Sequence, residues 1–247
     1  MRSRSAEIEE FVTLNSKDYF LPKIVNPDQF MRVRINYAKT EAMRFTGHLD
    51  LYKTWERTLR RAGLPLAYSQ GFNPRPKINL SSALPLGFTS QDEIIDIWLK
   101  EHLGLPQIEA DLRRAAPPGI KIISVAEVDL RAPALQTQVL AAAFVVTLLD
   151  PVPDLAVRVE ELLRKEKLPR ARRAKEYDLR PLIQELTLLP DDDEQNARLF
   201  MRLNAQEGAT GRPDEVLDEM GISPQTALVI RIKIIYAPVE EHYRETV

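Results

Sequence analysis

The sequence predicts an α+β protein of two tandem ferredoxin-like (βαββαβ) domains with antiparallel sheets. Three observations carry this. The hydrophobic period switches between two and 3.6 in the order β-α-β-β-α-β within about 100 residues. The same order then returns, with negligible identity between the halves. The 247 residues, 44% of them apolar, suffice for two ordinary cores.

Residues 1–29 are polar and irregular and are expected to form a loose arm. The first domain is placed at 30–130. Met31, Val33, Ile35 and Tyr37 alternate with Arg32, Arg34 and Asn36, as in a half-buried strand. A helix follows, with Thr46 as N-cap and Asp50 in the first turn, where the helix dipole favours an acid. Leu51, Trp55, Leu59 and Ala62 form its apolar stripe, and Gly63 and Pro65 stop it. The turn-rich run Ser69-Gln70-Gly71-Phe72-Asn73-Pro74-Arg75-Pro76 leads to a short strand at 77–81. A strand at 93–100, a helix opening at Pro106 and halted by Pro117-Pro118-Gly119, and a strand at 121–128 complete the unit.

Residues 131–136, with Pro133, are expected to link the domains, and the second is placed at 137–238. It reads as a strand at 139–148, a helix from Pro153 and a basic stretch. Strands at 184–189 and 198–203 then flank the turn Asp191-Asp192-Asp193-Glu194. A helix at 212–220 and a strand at 228–236 follow, and 239–247 is a tail. By alternation, Leu228, Ile230, Ile232 and Ile234 should face the helices and Arg231 and Lys233 the open sheet face. In the first domain Arg32, Arg34, Asp96 and Trp98 should point to the open sheet face, and in the second Arg198, Phe200 and Arg202 should do so. Aromatic residues on such a face suit RNA; equally, the two sheets could cover each other.

There is no cysteine, which removes disulfides, thiolate zinc sites, a Cys nucleophile and a Cys-bound iron–sulfur cluster from this chain. With three histidines a His-rich metal site is not expected, and no metal or cofactor is assigned. No apolar run approaches the length of a membrane span, and the N-terminus lacks the apolar stretch of a signal peptide, so a cytoplasmic location is expected.

The net charge of −2 hides opposed patches. Residues 31–80 hold ten Lys/Arg against three Asp/Glu, and residues 164–175 hold seven against one. Phosphate binding depends on such local fields rather than on the total. In the first helix Arg57, Arg60 and Arg61 should project together, opposite the apolar stripe. The adjoining loop adds Arg75 and Lys77 with Tyr68 and Phe72 interleaved, and basic groups beside aromatics suit phosphate contacts plus base stacking. Ser69, Asn73 and Arg75 could hold an anion, although no phosphate-loop fingerprint is present. The segment 165–180, with Arg170, Arg172 and Arg173, reads as a mobile basic hairpin that grips nucleic acid or is merely solvated.

The motifs Phe45-Thr46-Gly47-His48-Leu49-Asp50, Leu59-Arg60-Arg61-Ala62-Gly63-Leu64-Pro65, Tyr68 to Lys77, and Leu84-Pro85-Leu86-Gly87 resemble the radical-SAM-linked protein family, domain of unknown function 2344. The resemblance covers residues 30–238 and weakens in the second half, where Tyr177-Asp178-Leu179-Arg180-Pro181 carries it. It implies a protein encoded beside, or fused to, a radical SAM protein, often near genes for ribosomes or RNA processing. This chain looks like the stand-alone form, with the iron–sulfur cluster on the partner. The resemblance supplies a context and no reaction.

Three functions are therefore expected in competition. The first is an RNA-binding accessory protein that presents tRNA or rRNA to a radical SAM partner through Arg32, Arg34, His48, Asp50, Arg57, Arg60, Arg61, Tyr68, Ser69, Phe72, Asn73, Arg75, Lys77, Arg170, Arg172 and Arg173. The second is a metal-independent endoribonuclease with His48 as general acid/base, beside Tyr37 and Lys53. Its architecture would be similar to that of CRISPR RNA-processing endonucleases, though without their C-terminal glycine-rich loop. The third is a structural docking subunit shaped by Gly71, Pro74, Pro76, Pro85 and Gly87.

Overall fold

The computed structural model describes residues 30–70, 72–172 and 175–237. The expected arm at 1–29, the tail at 239–247, Gly71 and Arg173 lie outside them. The described residues form a mixed α+β fold around a mostly antiparallel nine-stranded sheet. The first half contains β1 (Met31–Lys39), α1 (His48–Arg61), β2 (Ile78–Leu80), β3 (Thr89–Leu99), α2 (Leu105–Ala115) and β4 (Ile120–Val128). A single turn, α3 (Leu135–Gln138), ends the connection. The second half has β5 (Val139–Leu148), α4 (Leu155–Arg164), a hairpin of β6 (Pro169–Arg172) and β7 (Lys175–Asp178), then β8 (Ile183–Leu189) and β9 (Arg198–Gln206). β10 (Ala209–Thr210), α5 (Pro213–Glu219) and β11 (Ala227–Tyr236) close the chain.

Strand order is β4-β1-β3-β2 in the first half and β11-β5-β9-β8 in the second, with every neighbour antiparallel. One parallel contact joins the two runs, with Ile230 opposite Thr89 and Arg231 opposite Ser90. Strand β3 starts at Thr89, earlier than alternation indicates, because that end serves the junction while Ile95–Ile97 on the same edge serve β2.

Helix α1 starts at His48 with Gly47, not Thr46, as N-cap. Asp50 occupies the first turn, and Leu51, Trp55, Thr58 and Leu59 are buried at helical spacing. Gly63, at φ +69°, takes the left-handed conformation that ends the helix. Trp55 and Leu59 pack with Val33, Ile35, Ile95, Ile97, Ile108 and Leu112 into the first core, where Tyr37 meets Trp55 edge to face at 4.7 Å. The second core gathers Phe144, Val146, Leu162, Leu199, Met201 and Leu217. Leu84 and Phe88, from the segment before β3, also pack into it and so tie the halves together.

Two expectations about sheet faces need correction. In β11, Ala227 and Val229 face the second core, while Ile230 and Ile232 join Ala143 and Phe200 in a separate cluster. The strand is apolar at every position except Arg231 and Lys233, so its phase was inferred from those cations. A register shift between them breaks the alternation, and Arg231 is buried rather than outward. On the other face of the first half, Arg32 is only 2% exposed. Its guanidinium donates to the carbonyls of Ala132 and Pro133, so the connection between the halves crosses the face expected to be open.

Candidate nucleic-acid interface

An α-helix turns about 100° per residue, so Leu49, Tyr52, Lys53, Glu56 and Arg60 fall on one stripe of α1, opposite its buried side. With Arg57, and with Arg75 from the neighbouring loop, they line a groove of about 620 Å³. The loop is built to hold Arg75 there. The amide of Ser69 donates to the Arg75 carbonyl at 2.8 Å, the Ser69 hydroxyl accepts the Arg75 amide at 3.0 Å, and Tyr68 bridges to Pro76. Phe72 is left at the tip, fully exposed. Burial, then the Glu56 charge, pushes the Tyr52 phenol up, and the Arg75 charge opposes this, which places Arg75 within electrostatic reach of that hydroxyl.

What distinguishes this groove is the state of its cations. Arg57, Arg60 and Arg75 have no ion pair and no side-chain hydrogen bond among the described residues. Lys53 reaches only the exposed Asp50, at 3.6 Å. Four of the other expected arginines are neutralised. Arg32 and Arg34 both hold the buried Asp96, at 2.6 and 2.8 Å. In the basic hairpin Arg170 binds Asp218 and Glu219, and Arg172 binds Glu215. That hairpin therefore lies against α5, tied by its own cations.

The remaining expected residues are distributed as follows. Arg61 sits about 100° around the helix from Arg60 and donates to the Ala115 carbonyl, so the expected trio of guanidiniums divides. Tyr68 packs on the first core with the Lys100 ammonium 5.7 Å from its ring centre. Asn73 and Lys77 are exposed, and the Ser69 hydroxyl is spent on shaping the loop. His48 stands half-buried at the start of α1 with its Nδ1 unpartnered among the described residues. Burial lowers its pKa, with Glu93 opposing and Arg231 assisting. Tyr37 is sealed in the core and its pKa is raised, first by burial and then by Glu93, whereas Lys53 is exposed.

Several features of the site were missed. Tyr52 lies outside the apolar stripe and outside the expected site residues, and the buried set of Lys39, Glu93 and Arg231 beside His48 comes from strands distant in sequence. Lys39 donates to the carbonyls of Phe88 and Arg44, and burial lowers its pKa. For Arg231 the available signal was a cation in a mostly apolar strand, whereas Lys39 and Glu93 lie in strands with several other polar residues and carry no such signal. Among the described residues no three His, Asp or Glu stand close enough to share a metal ion, and no helix is long and apolar enough to cross a membrane.

Comparison with known proteins adds a family. The chain matches no curated protein. Among solved structures it is similar to a chain in the crystal structure of a Cbf5-Nop10-Gar1 complex, at 10% identity and a TM-score of 0.44. That match covers 83% of this chain and 49% of the other, so this chain spans about half that chain's length. It is also similar to the small subunit of acetolactate synthase from Thermotoga maritima, at 12% identity and a TM-score of 0.25, over 88% of this chain and 99% of that one. A family model described as "Uncharacterized protein conserved in bacteria (DUF2344)" matches residues 32–213, a span that takes in the groove and most of both halves. The chain belongs to the DUF2344 family.

Proposed function

We propose that the chain is two ferredoxin-like units joined edge to edge, and that the first unit binds RNA in the groove between α1 and the 69–75 loop. The antiparallel orders β4-β1-β3-β2 and β11-β5-β9-β8 support the architecture. The observation that carries the binding role is the convergence of Arg57, Arg60 and Arg75 on one groove, all three without an ion pair among the described residues, where Lys53 adds a fourth cation and Glu56 is the one acid in the lining. Holding four cations against a single acid is unfavourable in the free protein, and a polyanion relieves it. The wider role is that of an accessory protein that presents tRNA or rRNA to a radical SAM partner. It rests on the resemblance of the motifs at 45–87 to the radical-SAM-linked family.

Fluorescence anisotropy with tRNA and rRNA fragments at several salt concentrations tests the binding. Affinity should fall with salt, and an Arg57→Glu/Arg60→Glu/Arg75→Glu variant should bind at least tenfold more weakly. Absence of salt-sensitive binding by the wild type would end the proposal. Co-purification of the adjacent radical SAM protein, with and without nuclease, tests the partner.

A further inference from the structure

We propose that the groove takes single-stranded RNA, with phosphates on Arg57, Arg60 and Arg75 and unpaired bases on an apolar shelf made by Phe45, Leu49 and Phe72. This deepens the RNA reading and rests on it. The four most exposed large apolar side chains among the described residues are Phe45 (75%), Leu49 (75%), Phe72 (106%) and Leu86 (63%), all within one stretch of 42 positions that also contains the groove. An apolar surface left in water is an unused source of binding energy, and a concentration of it beside unpaired cations has a chemical meaning.

The geometry joins these residues to the groove. Leu49 lines it, and Phe45 lies just before the helix, four residues earlier. The Leu86 turn is fastened beside Phe45, because the Gly87 amide donates to the Arg44 carbonyl at 3.0 Å and Arg44 Nε donates back to the Gly87 carbonyl at 2.9 Å. The Arg44 guanidinium also lies 5.4 Å from the centre of the Phe45 ring. The loop that delivers Arg75, closed by its contacts with Ser69, carries the exposed Phe72 midway between them.

Duplex RNA keeps its bases stacked inside the helix and offers a protein chiefly phosphates and 2′-hydroxyls. Such a ligand would satisfy the arginines and leave the rings in water. A single strand offers phosphates and free base faces together, and every base has a face that stacks on an aromatic ring. The pairing of unneutralised guanidiniums with exposed aromatics therefore favours a single strand over a duplex. It also favours a polyanion over a purely apolar protein partner.

Fluorescence anisotropy of the full chain tests this with three labelled probes: a 12-nucleotide mixed-sequence RNA, the same strand annealed to its complement, and an abasic strand of equal length. The base-bearing strand should bind at least tenfold tighter than either of the others. Phe72→Ala should weaken it about tenfold and leave the abasic strand unchanged, while Phe72→Trp should retain wild-type affinity. Circular dichroism confirms folding of these surface variants. Equal affinity for strand and duplex, or an equal loss on base-bearing and abasic strands in Phe72→Ala, overturns the single-strand inference while RNA binding stands. Failure of all three probes to bind in a salt-sensitive way overturns both readings. Nuclease-resistant capture of a partner protein that is lost in Phe72→Ala, with RNA affinity unchanged, assigns the shelf to protein docking and overturns the inference.

Discussion

Arg231 of β11 grips Glu93 of β3 across the junction of the two halves, with Nε donating to Oε1 at 2.7 Å and Nη2 to Oε2. Both side chains are almost fully buried, and the residues beside them form the sheet's parallel junction. The Ser90 hydroxyl donates to the Arg231 carbonyl at 3.1 Å, fastening the same strand again. Neither charge has water to fall back on, so the pair is favourable only while both members are present.

Removing one partner should therefore cost more than removing both. Arg231→Met leaves the buried Glu93 carboxyl, opposite Tyr37, without its guanidinium partner, and stability should fall by about 3–5 kcal/mol. Adding Glu93→Leu should recover part of that loss. Urea unfolding of the two single variants and the double variant reads the difference; strictly additive losses would contradict it.

Asp96 makes the corresponding junction on the opposite face. It accepts from Arg32 and Arg34, and Arg32 in turn holds the carbonyls of Ala132 and Pro133. Asp96→Ala should cost about 3–5 kcal/mol, as two guanidiniums lose a buried carboxylate. It should also speed amide hydrogen exchange at 130–138 more than in β5. Exchange mass spectrometry checks this, and an unchanged 130–138 segment would remove the clamp.

His48 should give a pH signature. Its folded pKa lies below the ordinary 6.5 because burial disfavours the imidazolium. The unfolded chain then binds the proton more readily than the folded one. The associated stability is complete above about pH 6.5 and is lost as pH falls through the folded pKa, with a slope of at most about 1.4 kcal/mol per pH unit. Urea midpoints between pH 8 and pH 5 should fall in the wild type and flatten in His48→Gln.

Gly119 is required by both backbone and space. Its φ is +96°, and a Cβ there would lie 2.5 Å from Met43 Cγ and 2.9 Å from the Met43 backbone nitrogen. Gly208 shares the positive φ, at +79°, but has open space around it. Gly208→Ala should cost about 1–2 kcal/mol for left-handed backbone alone. Gly119→Ala should cost clearly more, since Met43 must move, and thermal melts of the two variants compare them directly.

The order of elements was legible because polar and apolar residues alternate cleanly in β1, and prolines mark the starts of α2 and α5. The helical stripe Leu51, Trp55 and Leu59 was legible for the same reason. In β11 the contrast of Arg231 and Lys233 with the surrounding isoleucines indicates a phase, but the register shift between those two cations has no local signal, and the phase does not hold across it. Charged residues misled most. Arg32 and Arg231, each alternating with apolar residues, read as solvent-facing, and only a partner 64 or 138 positions away reveals them as buried. Of the expected basic groups, Arg57, Arg60 and Arg75 were brought together, because helical spacing fixes two of them and a closed loop supplies the third.

The two basic segments of the sequence should behave differently toward RNA. Arg170 and Arg172 already hold Asp218, Glu219 and Glu215, so a phosphate must displace bound carboxylates to reach them. Arg57 and Arg60 hold no carboxylate in an ion pair among the described residues, although Glu56 lines the same groove. In an Arg57→Ala/Arg60→Ala variant the slope of log affinity against log salt should be shallower by about 1.4, the release of counter-ions from two single-strand phosphate contacts. Arg170→Ala/Arg172→Ala should leave slope and affinity within about twofold of wild type. That variant should instead loosen the hairpin from α5, raising amide exchange at 169–172. If the hairpin variant lost the salt slope while the helix variant kept it, the interface would belong to the hairpin. The ion pairs with α5 would then be a closed state that RNA opens.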